Sequence, residues 1–228
     1  ALRAGIIPEA VIYTGRYLDS SGFQDLVAAL PSGVKRYRVT PQLFKKIALT
    51  DSPQEVAALA PMPAGFSKKP PASRVGLGLL LDRIQDPGNL GTLIRTAAAA
   101  GADGIYYTSG TVDPYCPKAM RSSAGTIFQL EPVHLPDPLQ YLSELKGEGV
   151  QIITTDPEEG CLYWEVDLRP PTLFIIGNES RGVAPLLVEK ADYRVSIPQP
   201  GWAGSLNAAV SAAILLYETL GCRYRSRV

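Results

Sequence analysis

Apolar residues in this chain collect into short runs, and the way the runs are spaced predicts both the elements and their arrangement. Runs at Val75–Leu81, Gly104–Thr108, Val150–Thr154, Leu173–Ile176 and Tyr193–Ile197 carry little or no charge, as strands covered on both faces do. Between them lie helical stretches at Leu90–Ala100, Asp137–Lys146 and Leu206–Leu220. Each is followed by a glycine, Gly101, Gly147 and Gly221, that can supply the left-handed residue closing a helix. Strands alternating with helices predict an α/β fold with a largely parallel sheet and crossover helices.

The pattern is different near the start. AVIYT at Ala10–Thr14 reads as a strand, the stretch around Phe23–Leu30 as a helix, YRVT as a second strand, and a helix starts at Pro41. These make a small α/β module. The stretch APMPAGFSKKPPAS, from Ala60 to Ser73, is too rich in proline and small residues for helix or sheet. The expected organisation is a small domain over residues 1–66, a linker over 67–74 and a larger domain over 75–228. The chain opens on ALRAGI without methionine, so the first domain is read as short of its own beginning.

Composition narrows the classes. The 228 residues are 46% hydrophobic and 19% charged, and no apolar run approaches the roughly 18 residues of a membrane helix. No membrane association and a cytoplasmic location are expected. Cys116, Cys161 and Cys222 are odd in number and lack CxxC spacing, which argues against a disulfide framework and a zinc site. Asp156, Glu158 and Glu159 have no further oxygen ligands spaced to join them, so no metal is expected. The net charge of zero hides an asymmetry. Residues 1–74 carry ten Lys or Arg against five Asp or Glu, a net of 10 − 5 = +5, and the remainder carries 12 − 17 = −5. A basic first third suits a polyanion.

Three segments look chemical. DPGNLGTLIRTAAAAG (Asp86–Gly101) follows an apolar strand and opens a helix, with Asn89 and Arg95 about 1.7 turns apart and needing a bend before Leu90 to converge. Alone, Asn89 reads equally as a helix cap and Arg95 as a surface residue. FIIGNESRGVAP (Phe174–Pro185) runs a strand into Gly177, with Glu179 either a ligand contact or a first-turn carboxylate of the next helix. VSIPQPGWAGSLNAAVSAAILLYE (Val195–Glu218) takes a strand through a Pro/Gly loop, with Trp202 inside it, to Ser205, a candidate cap. The helix that follows is nearly uncharged and needs cover on almost every side, a second subunit included.

Together, and in this order, these segments resemble the three signatures of the SpoU-type (TrmH-like) branch of the SPOUT superfamily of RNA 2'-O-ribose methyltransferases. The resemblance spans residues 75–222. It implies a deep C-terminal trefoil knot, a homodimer through the knotted domain, and S-adenosylmethionine as cofactor, contacted by Gly177, Ile197 and Leu206. The absence of a GxGxxG fingerprint agrees with a cofactor that has no pyrophosphate. Carried over, Asn89, Arg95, Glu179, Ser205 and Asn207 form the catalytic group. Residues 1–66 are similar to the small RNA-binding domain that precedes the catalytic domain in many relatives, and Lys35, Arg36, Arg38, Lys45 and Lys46 are its candidates for tracking phosphates. Arg223 is offset from Asn207 as in relatives where a late arginine meets RNA or the neighbouring site, and Tyr224, Arg225 and Arg227 extend a basic tail. His134, the one histidine, reads as a partly buried structural residue.

The expected reaction is methyl transfer to a ribose 2'-hydroxyl of RNA, ribosomal RNA of the large subunit first. A transfer-RNA ribose methyltransferase or a base-methylating SPOUT relative is the nearest alternative. A silent RNA-binding relative would show a broken motif, and a nucleotide-dependent oxidoreductase would show a glycine fingerprint; neither feature is present.

Overall fold

Seven strands, each parallel to its neighbours, build the sheet that carries the three motifs, in a computed structural model that describes residues 1–50, 52–62, 75–201 and 205–226. The chain divides into two compact units, residues 1–64 and 65–228. The segment 67–74 read as a linker, Trp202 and Arg227 lie outside the described residues.

In the first unit the elements are β1 (Ala10–Thr14), α1 (Gly15–Leu18), α2 (Ser21–Ala29), β2 (Lys35–Val39), α3 (Pro41–Ile47) and β3 (Val56–Leu59). The sheet runs β2-β1-β3, with β1 parallel to β2 and antiparallel to β3. Its core is small: Ala10, Val11 and Thr14 of β1 are buried, and Phe44 of α3 closes over them at 2% exposure. Thr40 caps α3 through its hydroxyl and Pro41 starts it, so the helix begins where its sequence says. The strand β3 was not legible, because Ala57 and Ala58 have little strand preference and pairing with β1 decides their conformation.

The second unit contains β4 (Leu77–Leu81), α4 (Pro87–Ala99), β5 (Gly104–Thr108), α5 (Pro117–Ser122), β6 (Pro132–Leu135), α6 (Pro138–Gly147), β7 (Gln151–Thr155), β8 (Cys161–Leu162), β9 (Thr172–Ile176), α7 (Pro185–Lys190), β10 (Tyr193–Ser196) and α8 (Ala208–Arg225). The strand order is β6-β5-β4-β9-β7-β10-β8. All five residues of β4 and all five of β9 are buried, which is why both read as unbroken apolar runs. Alternate residues serve opposite faces. Leu79, Leu81, Phe174 and Ile176 pack with Leu93, Ile94 and Ala97 of α4 and Leu215 and Leu216 of α8, while Leu80, Leu173 and Ile175 pack with Tyr141, Leu142 and Leu145 of α6.

Two helix ends differ from the sequence reading. Gly147 is the last residue of α6 and the left-handed position falls on Gly149, while α8 runs straight through Gly221 to Arg225. A glycine inside a helix carries only a modest cost, which the 18-residue α8 absorbs. The short elements β8 and α5 escaped the periodicity altogether. His134 lies within β6 and is exposed rather than partly buried, its Nε2 3.1 Å from Ser109 Oγ. Position at the sheet edge, where one face of β6 meets solvent, explains the difference.

The order of the strands positions the ligand-binding end of the sheet. The chain builds β4, β5 and β6 outward on one side, crosses over, and later inserts β9 between β4 and β7. The carboxyl ends of β4, β9 and β10 therefore open near one another at the switch in strand order, where ligands of such sheets bind.

Candidate active site

The loop after β4 is shaped by a buried carboxylate. Asp82, 2% exposed, accepts hydrogen bonds from Thr108 Oγ1 (2.9 Å) and the Ala184 amide (2.8 Å) and pairs with Arg83 (3.0 Å). It thus ties the ends of β4 and β5 to the segment entering α7. A little further on, Asp86 caps α4 by accepting from the Asn89 amide at 2.8 Å, and Pro87 takes the first helical position. A hydrogen bond from Lys118 at 3.0 Å holds the Asp86 carboxyl below its ordinary pKa. The cap is therefore Asp86, not Asn89, and the expected bend before Leu90 is absent because the helix already starts at Pro87.

The loop after β9 turns on Gly177. A Cβ there would collide with the backbone of Gly182 and Val183, so only glycine permits this approach. Asn178 and Gly182 exchange backbone hydrogen bonds across the loop (3.1 and 2.9 Å). The Asn178 carboxamide is fully committed: Oδ1 accepts from the amides of Ser180 and Arg181, and Nδ2 donates to the Arg83 carbonyl. This ring holds up Glu179, which belongs to the loop and not to a first helical turn, since α7 starts only at Pro185.

After β10, α8 is capped by Asn207, whose Oδ1 accepts from the amides of Ala209 and Val210. Ser205, expected as the cap, stands two residues earlier. The other end of the Asn207 side chain does separate work. Its Nδ2 donates to Asn89 Oδ1 at 2.8 Å, and Asn89 Nδ2 donates to Glu179 Oε1 at 2.9 Å. Residues 90 and 118 positions apart in the chain are joined in one polar relay, one member from each motif.

Beside the relay lies a cavity of about 250 Å³. Gly177, Ile197 and Leu206, the three expected cofactor contacts, all line it, as do Glu179 and Ser205. Ile176, Val195 and Ala208 add apolar wall and Gln199 a polar one. An apolar slot with a few convergent polar groups and a glycine floor suits a flat heterocycle with a polar tail, which is the make-up of S-adenosylmethionine.

Arg95 stays apart. It is exposed on α4, about 1.7 helical turns past Asn89 and on another face, and makes no hydrogen bond or ion pair among the described residues. Arg223, expected to meet RNA or the neighbouring site, is the reverse case. Its guanidinium donates to the carbonyls of Leu168 (3.3 Å), Gly76 (2.9 Å) and Pro170 (2.7 Å), pinning the end of α8 to two loops, and burial lowers its pKa. Lys35, Arg36, Arg38, Lys45 and Lys46 are all exposed in the first unit, and none of their side chains has a hydrogen-bonding or ionic partner among the described residues. Asp82, Asn178 and Gln199 were not singled out from sequence. The one available signal was Asp82, a charge closing the apolar run LLLD.

Fold and site define a methyltransferase that acts on RNA. The sequence model of the SpoU rRNA methylase family matches residues 76–217. A 23S rRNA (guanosine(2553)-2'-O)-methyltransferase of Bacillus subtilis, RlmP, is 41% identical, over 84% of this chain and 75% of that protein. A 23S rRNA (uridine(2479)-2'-O)-methyltransferase of Streptomyces viridochromogenes is 33% identical over 100% of this chain and 80% of its own. The crystal structure of the SpoU methyltransferase AviRb from the same organism, in complex with the cofactor AdoMet, superposes with a TM-score of 0.83, at 32% identity, covering 98% of this chain and 85% of that one. The chain belongs to the SpoU family of RNA ribose methyltransferases, enzymes that use S-adenosylmethionine.

Proposed function

We propose that the protein methylates a ribose 2'-hydroxyl of ribosomal RNA, with S-adenosylmethionine in the cavity between Gly177, Ile197 and Leu206. The observation that carries this reading is the Asn207–Asn89–Glu179 relay at the rim of that cavity. Held by Gly177, Ile197 and Leu206, the cofactor would supply an electrophilic methyl carbon on positively charged sulfur, with the neutral thioether as leaving group. Every other task falls to the chain. The relay fixes the Glu179 carboxylate, the one group of the relay that can accept the hydroxyl proton, directly or through water. Arg95 has no acceptor and keeps its proton, so it stabilises the developing 2'-oxyanion or the adjoining phosphate. Ser205 helps orient the ribose.

Arg95 and the relay face different ways on α4, and a second copy of the chain reconciles them. On α8, Val210, Tyr217 and Tyr224 are 47, 53 and 64% exposed at seven-residue spacing, an apolar stripe that a homodimer would cover. The trefoil knot holds Ile197 and Leu206 at the cofactor, the exposed cations of the first unit dock RNA through its phosphates, and the enzyme works in the cytoplasm. Among the described residues no helix is long and apolar enough to cross a membrane.

Tritiated methyl transfer to total ribosomal RNA and, separately, to transfer RNA tests this. Label in one alkali-resistant ribosomal dinucleotide is expected, with Arg95→Ala slowing transfer by about 10²- to 10³-fold while cofactor affinity holds. Label confined to transfer RNA would move the substrate, and label in neither would sink the proposal.

A further inference from the structure

A second cavity, of about 390 Å³, opens at the carboxyl ends of β4, β5 and β6, on the face of the sheet that α6 and α7 cover. Leu135, Pro138, Leu139, Leu186 and Leu187 make its wall, and Leu186 is left 60% exposed there. Asp82, Thr108 and Ala184 line it too. These are the groups that meet around the Asp82 carboxylate, so the Arg83 guanidinium paired with that carboxylate lies at the same place. Its Nε and Nη2 donate to Asp82, while Nη1 makes no hydrogen bond among the described residues, and 34% of the side chain is open to solvent. The backbone of Arg83 is committed as well. It holds a left-handed φ of 56°, its amide donates to Thr108 Oγ1 at 3.1 Å and its carbonyl accepts from Asn178 Nδ2 at 2.9 Å. An arginine keeps such a conformation only where its surroundings fix it. The bond to Asn178 also joins the cavity to the catalytic loop, because the next residue is Glu179.

We propose that this cavity receives the base of the nucleotide being methylated, unstacked from its RNA neighbours, with the free edge of the Arg83 guanidinium donating to it. This rests on the relay being the place where the ribose is methylated. A base and its 2'-hydroxyl hang on adjacent carbons of one ribose, so a pocket for the one must lie beside the groups that handle the other. The Arg83–Asn178 bond provides that closeness. Charge separates a base from a phosphate as the occupant. Asp82 neutralises Arg83, and Asp137, whose Oδ1 caps α6, adds a second carboxylate, so one arginine against two aspartates leaves the lining negative. Such a lining repels a phosphate, whereas a neutral base finds N–H donors in Arg83, an acceptor in Asp137 and apolar walls for its faces. Unpaired bases are also what proteins read in structured RNA.

Steady-state methyl transfer to ribosomal RNA with two Leu186 variants tests the proposal. Leu186→Glu sets a charge on the cavity wall without touching the core or the relay. It is expected to raise the KM for RNA by about 10-fold or more, while S-adenosylhomocysteine affinity and the urea midpoint hold. Leu186→Phe keeps an apolar face and is expected to stay within about threefold of wild type. The added charge also acts on RNA phosphates at a distance, so the deciding measurement pairs the protein change with an RNA change. In a synthetic RNA spanning the mapped ribose, removing the base of the target nucleotide while keeping its 2'-hydroxyl is expected to cost wild type about 10- to 100-fold in kcat/KM, and Leu186→Glu no more than about threefold. Equal losses in the two proteins overturn the inference, as does a Leu186→Glu enzyme with the wild-type KM. If wild type labels transfer RNA instead, the same comparison is made on that RNA; label in neither removes the reading of the relay, and this inference with it.

Discussion

β2 and β9 both make parallel pairs, yet they sit at opposite extremes of the chain's environments. β9 is held between β4 and β7, and all five of its residues are buried. β2 pairs only with β1, and four of its five residues, Lys35 to Arg38, are exposed. Hydrogen bonding to a neighbour makes either one a strand; what surrounds the strand decides its use. Flanked on both edges and covered on both faces, β9 has only one way to pack and holds the Gly177 loop in place. An edge strand with its side chains in water is free to present charge, at the cost of a weaker hold on the fold.

The sharpest way to test that contrast is to cut a side chain from the buried strand. Phe174→Ala removes a fully buried ring between α4 and α8 and is expected to destabilise the catalytic unit by about 3 to 5 kcal/mol, read as a fall in urea midpoint with no change in slope. A loss below about 1 kcal/mol would mean that the β9 environment tolerates voids and the contrast is overstated.

Next in size is Arg223, a charged residue on the buried side of the comparison. Arg223→Met strands the Leu168 carbonyl and takes one donor from those of Gly76 and Pro170, which keep Thr172, and is expected to cost about 1 to 3 kcal/mol while RNA affinity stays at the wild-type value. Weaker RNA binding at unchanged stability would return Arg223 to the role that its offset from Asn207 suggests.

Changing Lys35, Arg36 and Arg38 together to Gln is expected to move stability by no more than about 0.5 kcal/mol. In filter binding, the slope of log affinity against log salt should flatten by roughly 2 to 3. An unchanged slope would leave β2 a solvated edge and nothing more.

The smallest effect belongs to Asp86, an exposed cap whose carboxyl titrates below its ordinary range because Lys118 donates to it. A depressed folded-state value gives stability that is present above the unfolded pKa and is lost as pH falls through the folded one. Asp86→Asn keeps a cap acceptor and loses the charge, so its stability should trail wild type at neutral pH and converge with it as pH falls through the depressed folded-state value. A gap that persists into acid would assign the effect to the cap.

Much of this architecture could be read along the chain, because burial on both faces of a parallel strand leaves a signature in the residues themselves. β1 and β5 were placed to the residue, and β4, β7, β9 and β10 to within two positions at either end. The three motifs, their order, the α/β class and the family were legible for the same reason: each is a local string of residue types. Proximity was not. That Asn207 both caps α8 and donates to Asn89, that Asp86 rather than Asn89 starts α4, and that Glu179 completes a relay across 90 residues all depend on where β9 enters the sheet. Arg223 shows the same limit in reverse: a charged residue near a chain end looks free in sequence, and only the fold brings up the three carbonyls that hold it. Local sequence carries propensity and burial, which act over a few residues; partners brought in by topology act across the whole chain, and only tertiary structure decides them.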